Sequence, residues 1–225
     1  MRLAYCDVET NAIEDPDSIW LVGGKMADTG EVFKFENIHT DKVARKAATE
    51  WHQSLDKMVG HNFICYDLPL LNKWLDAPLD PRKVLDTLII SKTLDYDIDI
   101  PRGGDTPHSL KSWGIRLGLH KGDFKDFGAL TPEMITYWLG DLDVTEALFK
   151  RFKKSIYDKD LASSFRAEHD VQIELVRSKY YGFHFNKDLA TDLLSSVTAE
   201  MDTLEAQFQE DFPPKLEVAN TIQYR

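Results

Sequence analysis

The chain has 225 residues, 43% apolar and 29% charged, with a net charge of −11. That balance is the one of an ordinary soluble globular protein and excludes a collagen-like, fibrous or wholly disordered chain. No apolar run reaches the roughly 18 residues a membrane-spanning helix needs, and Asp7 brings a carboxylate too early for a secretory signal. Two cysteines, Cys6 and Cys65, cannot build a disulfide scaffold, so a reducing, cytoplasmic setting is expected. The negative charge argues against binding nucleic acid through a basic surface, unless divalent cations stand between acids and phosphate.

Along the chain, the first forty residues read as a strand meander. Arg2 to Glu9 is an apolar run ending in carboxylates, Ile19 to Met26 is a second, and residues 31–35 alternate after the turn Asp28-Thr29-Gly30. Asp41 is placed to cap a helix running to about Met58, with Val43, Ala47, Trp51, Leu55 and Met58 at helical spacing. Val59 to Phe63 reads as a buried strand, and residues 68–75 as a short helix. Val84 to Leu94 is apolar enough for either state. Pro101, Gly103 and Gly104, set among aspartates, make residues 95–106 a loop. A helical pattern resumes at Ser109 to Leu117, and Thr131-Pro132 opens a long helix with Met134, Trp138, Leu142, Thr145, Phe149, Phe152 and Ile156 as its stripe. Two further helical patterns, Ser163 to Tyr181 and Lys187 to Phe208, follow the basic patch Lys150–Lys154. Strands followed by alternating helix and strand predict an α/β fold, a mixed sheet flanked by helices with a C-terminal helical extension. The ending at Gln223-Tyr224-Arg225, soon after Pro213-Pro214, reads as a truncation.

Three carboxylate motifs stand out against this frame. In Asp7-Val8-Glu9 the acids are two apart on a strand, so both point to one face. Such a pair is usually a solvated strand end; here a buried run precedes it, which puts the acids at the crevice where open α/β sheets bind ligands. In His61-Asn62-Phe63-Ile64-Cys65-Tyr66-Asp67, an apolar strand runs into a turn and Asp67 begins a helix, where an ordinary N-cap is the simpler role. In Tyr137-Trp138-Leu139-Gly140-Asp141, Tyr137 and Asp141 lie one turn apart, edging the apolar stripe. A core tyrosine with a surface aspartate is the commoner meaning of one such pair, and Asp143 suits a solvated role. Together, Asp7, Glu9, Asp67 and Asp141 offer four hard oxygen ligands, which suits two ions of Mg²⁺ or Mn²⁺. Two such ions about 4 Å apart stabilise the attacking and leaving oxygens of a phosphodiester cleavage.

Taken in order, Asp7-x-Glu9, Asn62 with Tyr66-Asp67, and Tyr137-x-x-x-Asp141 resemble the proofreading 3′-to-5′ exonuclease domain, of the four-acid type with a tyrosine in its third motif, of phage-type family A DNA polymerases. The likeness extends to Asp86-Thr87-Leu88 and to His108–Gly118, and covers residues 1 to about 155. It implies a ribonuclease H-like fold, an exonuclease domain over 1–158, and over 159–225 a helical segment similar to the start of a family A polymerase domain. The polymerase motifs themselves are absent, so DNA synthesis is not expected of this chain. The resemblance further implies that Asp7 bridges both ions, that Glu9 and Asp141 complete one site and that Asp67 serves the other. Tyr137 with Glu9 would orient the attacking water, Thr10 and Ile13 would touch the terminal nucleotide, and Asn62 would steady the second motif or the strand. The expected partners are a single-stranded DNA 3′ end and a polymerase domain or processivity partner, with no membrane, in the host cytoplasm for a phage-encoded protein.

Two other readings stay open at this point. Ribonucleases of the same fold share the three motifs, which would make RNA the substrate. A non-catalytic replication module would instead dock through the helical tail or the loop at 95–106. Lys111, Arg116, Lys121 and Lys125 against Asp123 form a local basic patch suited to a phosphate backbone or, equally, to a solvated face. Trp113 sits at apolar spacing with Leu110 and Leu117 and is expected in the core.

Overall fold

Strict alternation of side chains along Leu3–Thr10 builds strand β1, whose two faces are both covered. Antiparallel to it runs β2 (Ile19–Met26), followed by β3 (Val32–Glu36). The chain then crosses through helix α1 (Lys42–Gln53) to β4 (Lys57–Gly60), and through α2 (Asp67–Trp74) to β5 (Val84–Asp86), both parallel to β1. The five-stranded sheet has the order β3-β2-β1-β4-β5. Helices α3 (Thr87–Leu94), α4 (Leu110–Arg116), α5 (Pro132–Ile156), α6 (Ala162–Tyr181) and α7 (Lys187–Asp211) follow. The computed structural model describes residues 1–119 and 124–213, which fall into two compact units, one up to Tyr180 and one from Tyr181 onward.

In the first unit each sheet face has its own core. Ala4, Cys6, Val8, Val22, Met58 and Val84 pack under α1 and α2 with Trp51, Leu55, Leu68 and Leu71. Leu3, Tyr5, Leu21 and Val59 pack under α5 against Trp138, Leu142 and Phe149. A third cluster joins Ile90, Trp113, Leu148, Phe152 and Phe165, so α6 is anchored to α3, α4 and α5. Burying each leucine or phenylalanine in such a core contributes roughly 1.5–3 kcal/mol. Trp113 is therefore a core residue, as its spacing predicts. In the second unit, Leu189, Leu193, Val197, Met201, Leu204 and Phe208 are exposed along α7.

Several boundaries differ from the sequence expectation. Helix α1 stops at Gln53 rather than near Met58, because the Asp56 N–H donates to the Arg2 carbonyl (2.8 Å) and turns the chain into β4 beside β1. Met58, at helical spacing with Leu55, is thus a strand residue. Strand β4 ends at Gly60 rather than Phe63: the chain folds back so closely that a Cβ on Gly60 would lie 2.4 Å from the Phe63 ring. Val84 to Leu94 is both a strand and a helix, divided at Asp86, whose carboxylate caps α3. Residues 95–106 form no helix or strand. The domain break expected at 158/159 falls in the turn between α5 and α6. Lys121, Asp123, Pro214 and the terminal Gln223-Tyr224-Arg225 lie outside the described residues.

Candidate metal centre

Asp7 and Glu9 share the β1 face that carries Leu3 and Tyr5, so both point toward α5. The helix is fixed there by Trp138, whose indole Nε1 donates to the Asp7 carbonyl oxygen (3.1 Å), and Asp141 sits between the fully buried Trp138 and Leu142. Asp7, Glu9 and Asp141 each bring a carboxylate oxygen to within 4.8 Å of the others. Among the described residues, no other set of three His, Cys, Asp or Glu side chains meets that closely. Glu9 and Asp141 are buried and Asp7 is half-buried.

Asp67 stands beside this group as the first residue of α2, buried, while the N-cap position belongs to Tyr66. Burial pushes its carboxyl well above the usual carboxylate range, the charge of Asp7 pushes it further, and its own backbone N–H opposes both. A buried concentration of anionic oxygens is costly unless positive charge accompanies it. These donors are all hard carboxylates, the set that Mg²⁺ or Mn²⁺ prefers. Chemically, the residues present fit a divalent cation centre.

The second motif is a tight turn, not a strand end. Asn62 adopts a left-handed conformation (φ 62°), which asparagine tolerates better than most residues. Its carbonyl accepts from the N–H groups of Cys65 (3.2 Å) and Tyr66 (3.1 Å). The Tyr66 hydroxyl donates to the Thr10 hydroxyl (2.6 Å) and lies 3.0 Å from the Ala12 carbonyl oxygen. Thr10 is buried and its hydroxyl also donates to Ala12 (2.8 Å), so it ties down the turn after β1. That turn presents Ile13, which is 84% exposed. On β2, Gly23 faces Asp7 with φ 149°, and a Cβ there would lie 2.0 Å from the Phe33 carbonyl oxygen. Only glycine lets β3 close on β2 at this level.

Tyr137 is half-buried and packs against Phe124 (ring centroids 5.6 Å apart) and edge-on to Phe127 (6.2 Å). The Phe127 carbonyl in turn accepts from the Trp20 indole (2.9 Å), joining this aromatic group to β2. Asp143 pairs with Lys25 (2.8 Å) at the surface, the solvated role its neighbourhood suggests. Arg116 is engaged by the carbonyls of Pro107 (2.7 Å) and Asp99 (2.6 Å), and its guanidinium covers the Trp113 ring. It holds the loop after α3 rather than standing free for phosphate.

Two residues escaped sequence reasoning. Asp86 had shown only as part of a family likeness, yet its buried carboxylate accepts three backbone N–H groups from two segments. His169, in a helix with no motif, donates through Nδ1 to the Phe165 carbonyl (2.7 Å) and accepts from the Asp86 N–H through Nε2 (2.9 Å). Neither has a spacing signature, since both act on backbone groups supplied by the fold.

A mixed sheet with acids gathered at the end of its central strand defines a class, and the chain belongs to it: the RNase H superfamily, a nuclease superfamily whose family model matches residues 4–121, more than half of the sequence. More particularly, the chain is similar to the DNA-directed DNA polymerase of Escherichia phage T7, 26% identical over an alignment that covers 69% of this chain and 29% of the polymerase. It thus spans under a third of that relative's length. Among solved structures it is similar to Brucella melitensis NrnC bound to pGG (TM-score 0.54, 17% identity, 82% of this chain and 89% of NrnC). The same protein is also solved with bound Mg²⁺ (TM-score 0.51, 16% identity, 82% and 89%). The family B DNA polymerase of Pyrobaculum calidifontis matches equally well (TM-score 0.54, 16% identity, 81% and 29%). At these identities the structural likeness is one of fold. No helix among the described residues is long and apolar enough to cross a membrane.

Proposed function

We propose that this chain is a metal-dependent 3′-to-5′ exodeoxyribonuclease that releases nucleoside monophosphates from single-stranded or mismatched DNA 3′ ends, as the proofreading part of a family A DNA polymerase. The observation that carries this reading is the meeting of Asp7, Glu9 and Asp141 oxygens within 4.8 Å, with Asp67 buried alongside. The similarity to a DNA-directed DNA polymerase favours DNA as substrate and a polymerase domain as partner.

Asp7, Glu9 and Asp141 would hold one divalent cation, and Asp67 with Asp7 would serve a second. Cations bound there supply Lewis-acid stabilisation of the attacking and leaving oxygens. Glu9 and Tyr137 orient the water that attacks the terminal phosphodiester, Tyr137 being held by Phe124 and Phe127 one turn before Asp141. Ile13 offers an apolar contact to the terminal nucleotide, and Thr10, through Tyr66 and Ala12, holds the turn that carries it. Asn62 sets the turn that delivers Asp67.

Incubation with 5′-end-labelled DNA and RNA strands of one sequence, with Mg²⁺ or with chelator, tests this. The expected result is a DNA ladder that shortens from the 3′ end only with metal. A ladder on RNA alone would overturn the substrate, and no metal-dependent ladder would overturn the activity.

A further inference from the structure

We infer that Asp86 is a positioning residue for the Asp67 arm of the acid centre, held in place by His169 of α6; this rests on the metal-centre reading above. Asp86 ends β5, at the edge of the sheet, and is 1% exposed. Its Oδ1 accepts from the Leu88 N–H (3.0 Å), which is all that capping α3 requires. The same oxygen also accepts from the Asn62 N–H (2.9 Å), and Oδ2 accepts from the Ile64 N–H (3.0 Å). Those two donors belong to the turn that delivers Asp67, and one of them is the residue with left-handed backbone.

A neighbouring strap runs in parallel. The Thr87 hydroxyl donates to the Gly60 carbonyl (3.0 Å) and meets Nδ1 of His61 (2.9 Å), so the turn is tied to the β5 end on both sides of Asn62. Asp86 itself is fixed from behind. Its N–H points off the sheet edge, where no further strand supplies an acceptor, and His169 fills that role. The Nδ1–H bond to Phe165 commits His169 to the tautomer whose Nε2 accepts. A path of hydrogen bonds therefore runs from α6 through Asp86 to the Asn62–Tyr66 turn and so to Asp67.

An Asp86→Asn substitution replaces one acceptor oxygen with an NH₂ that faces an N–H donor, so the turn loses at least one support. Groups that orient metal ligands typically alter metal affinity or activity 10–100-fold, and Mn²⁺ affinity by calorimetric titration is expected to fall by about that factor. In metal-free protein the Asn62 and Ile64 amides are expected to exchange faster with deuterium. Asp41→Ala, which removes an ordinary helix cap with Val43 and Ala44 as its donors, is expected to lower the melting temperature with neither effect. A merely structural Asp86 would behave like Asp41, and that result would overturn the inference. Should Asp86→Asn not fold, the His169 pair decides. His169→Gln keeps an acceptor and is expected to bind Mn²⁺ as the parent does, whereas His169→Phe binds more weakly; equal binding by both would overturn the inference too. Asp141→Ala separates the two readings: if it leaves Mn²⁺ affinity untouched, the metal centre itself is wrong, whatever Asp86 does.

Discussion

The two faces of β1 carry residues of opposite kinds from one and the same strand. On the side of α1 and α2, Ala4, Cys6 and Val8 stay apolar along its length. On the side of α5, Leu3 and Tyr5 begin in the same way, and then Asp7 and Glu9 replace them. Helix α5 changes in step, since Phe149 packs on Tyr5 (5.8 Å between rings), while Trp138 reaches the Asp7 carbonyl and Asp141 joins the acids. One face is built for stability, and the other surrenders some of it where chemistry needs charge.

The largest effects follow from the acid face. Asp7→Ala and Asp141→Ala are each expected to lower Mg²⁺-dependent 3′-end cleavage by roughly 10³-fold or more, measured as single-turnover rates. The same positions should act oppositely on stability in chelator. Removing one of three carboxylates that crowd within 4.8 Å relieves like-charge repulsion, so Asp7→Asn should gain about 1 kcal/mol, a rise of roughly 2–4 °C in melting temperature. A variant that lost activity and stability together would break the contrast between the faces.

The apolar face predicts the converse. Leu55 is fully buried beneath α1, and Leu55→Ala should cost about 3 kcal/mol through lost burial and the cavity left behind. Denaturant unfolding measures that cost. Cleavage per folded molecule is expected to stay near the parent value, because the sheet lies between this cavity and the carboxylates of Asp7, Glu9 and Asp141.

The sequence made much of this legible, and unevenly so. Period-two alternation put Asp7 and Glu9 on one face, and the step of four placed Asp141 beside the α5 stripe. Both are local rules, and the structure brings an oxygen of each of these three acids within 4.8 Å of the others. What was not legible depends on distant backbone. The end of α1 is decided by Arg2, more than fifty residues away in the chain, and the turn at Asn62 by Asp86. The burial of Asp67 likewise comes from neighbours that no spacing rule reaches. Tyr137 was readable as a motif, but its aromatic support at Phe124 and Phe127 was not, since the intervening chain has no periodicity.

The smallest effect tests how dry the apolar face is, because helix α1 on that face carries a buried histidine. His52 is fully buried in α1, donates through Nδ1 to the Ala48 carbonyl (2.7 Å) and meets the edge of Trp51. Burial drives its pKa from 6.5 down to about 4, the hydrogen bond to Ala48 only partly opposing that. The charged form is therefore disfavoured in the fold and not in the unfolded chain. Its contribution is complete above pH 6.5, declines as the unfolded chain takes up a proton below that, and stops declining near pH 4, where the folded form is protonated as well. At pH 5 the loss is about 2 kcal/mol. Carboxylates titrate in the same window, so the measurement is a difference: unfolding free energies of the parent and of His52→Gln, which removes the titrating imidazole, between pH 7 and 4. The two curves should converge as pH falls, since only the parent carries the imidazole. Curves that stay parallel would mean that His52 is solvated, and that the apolar face admits water where the packing says it does not.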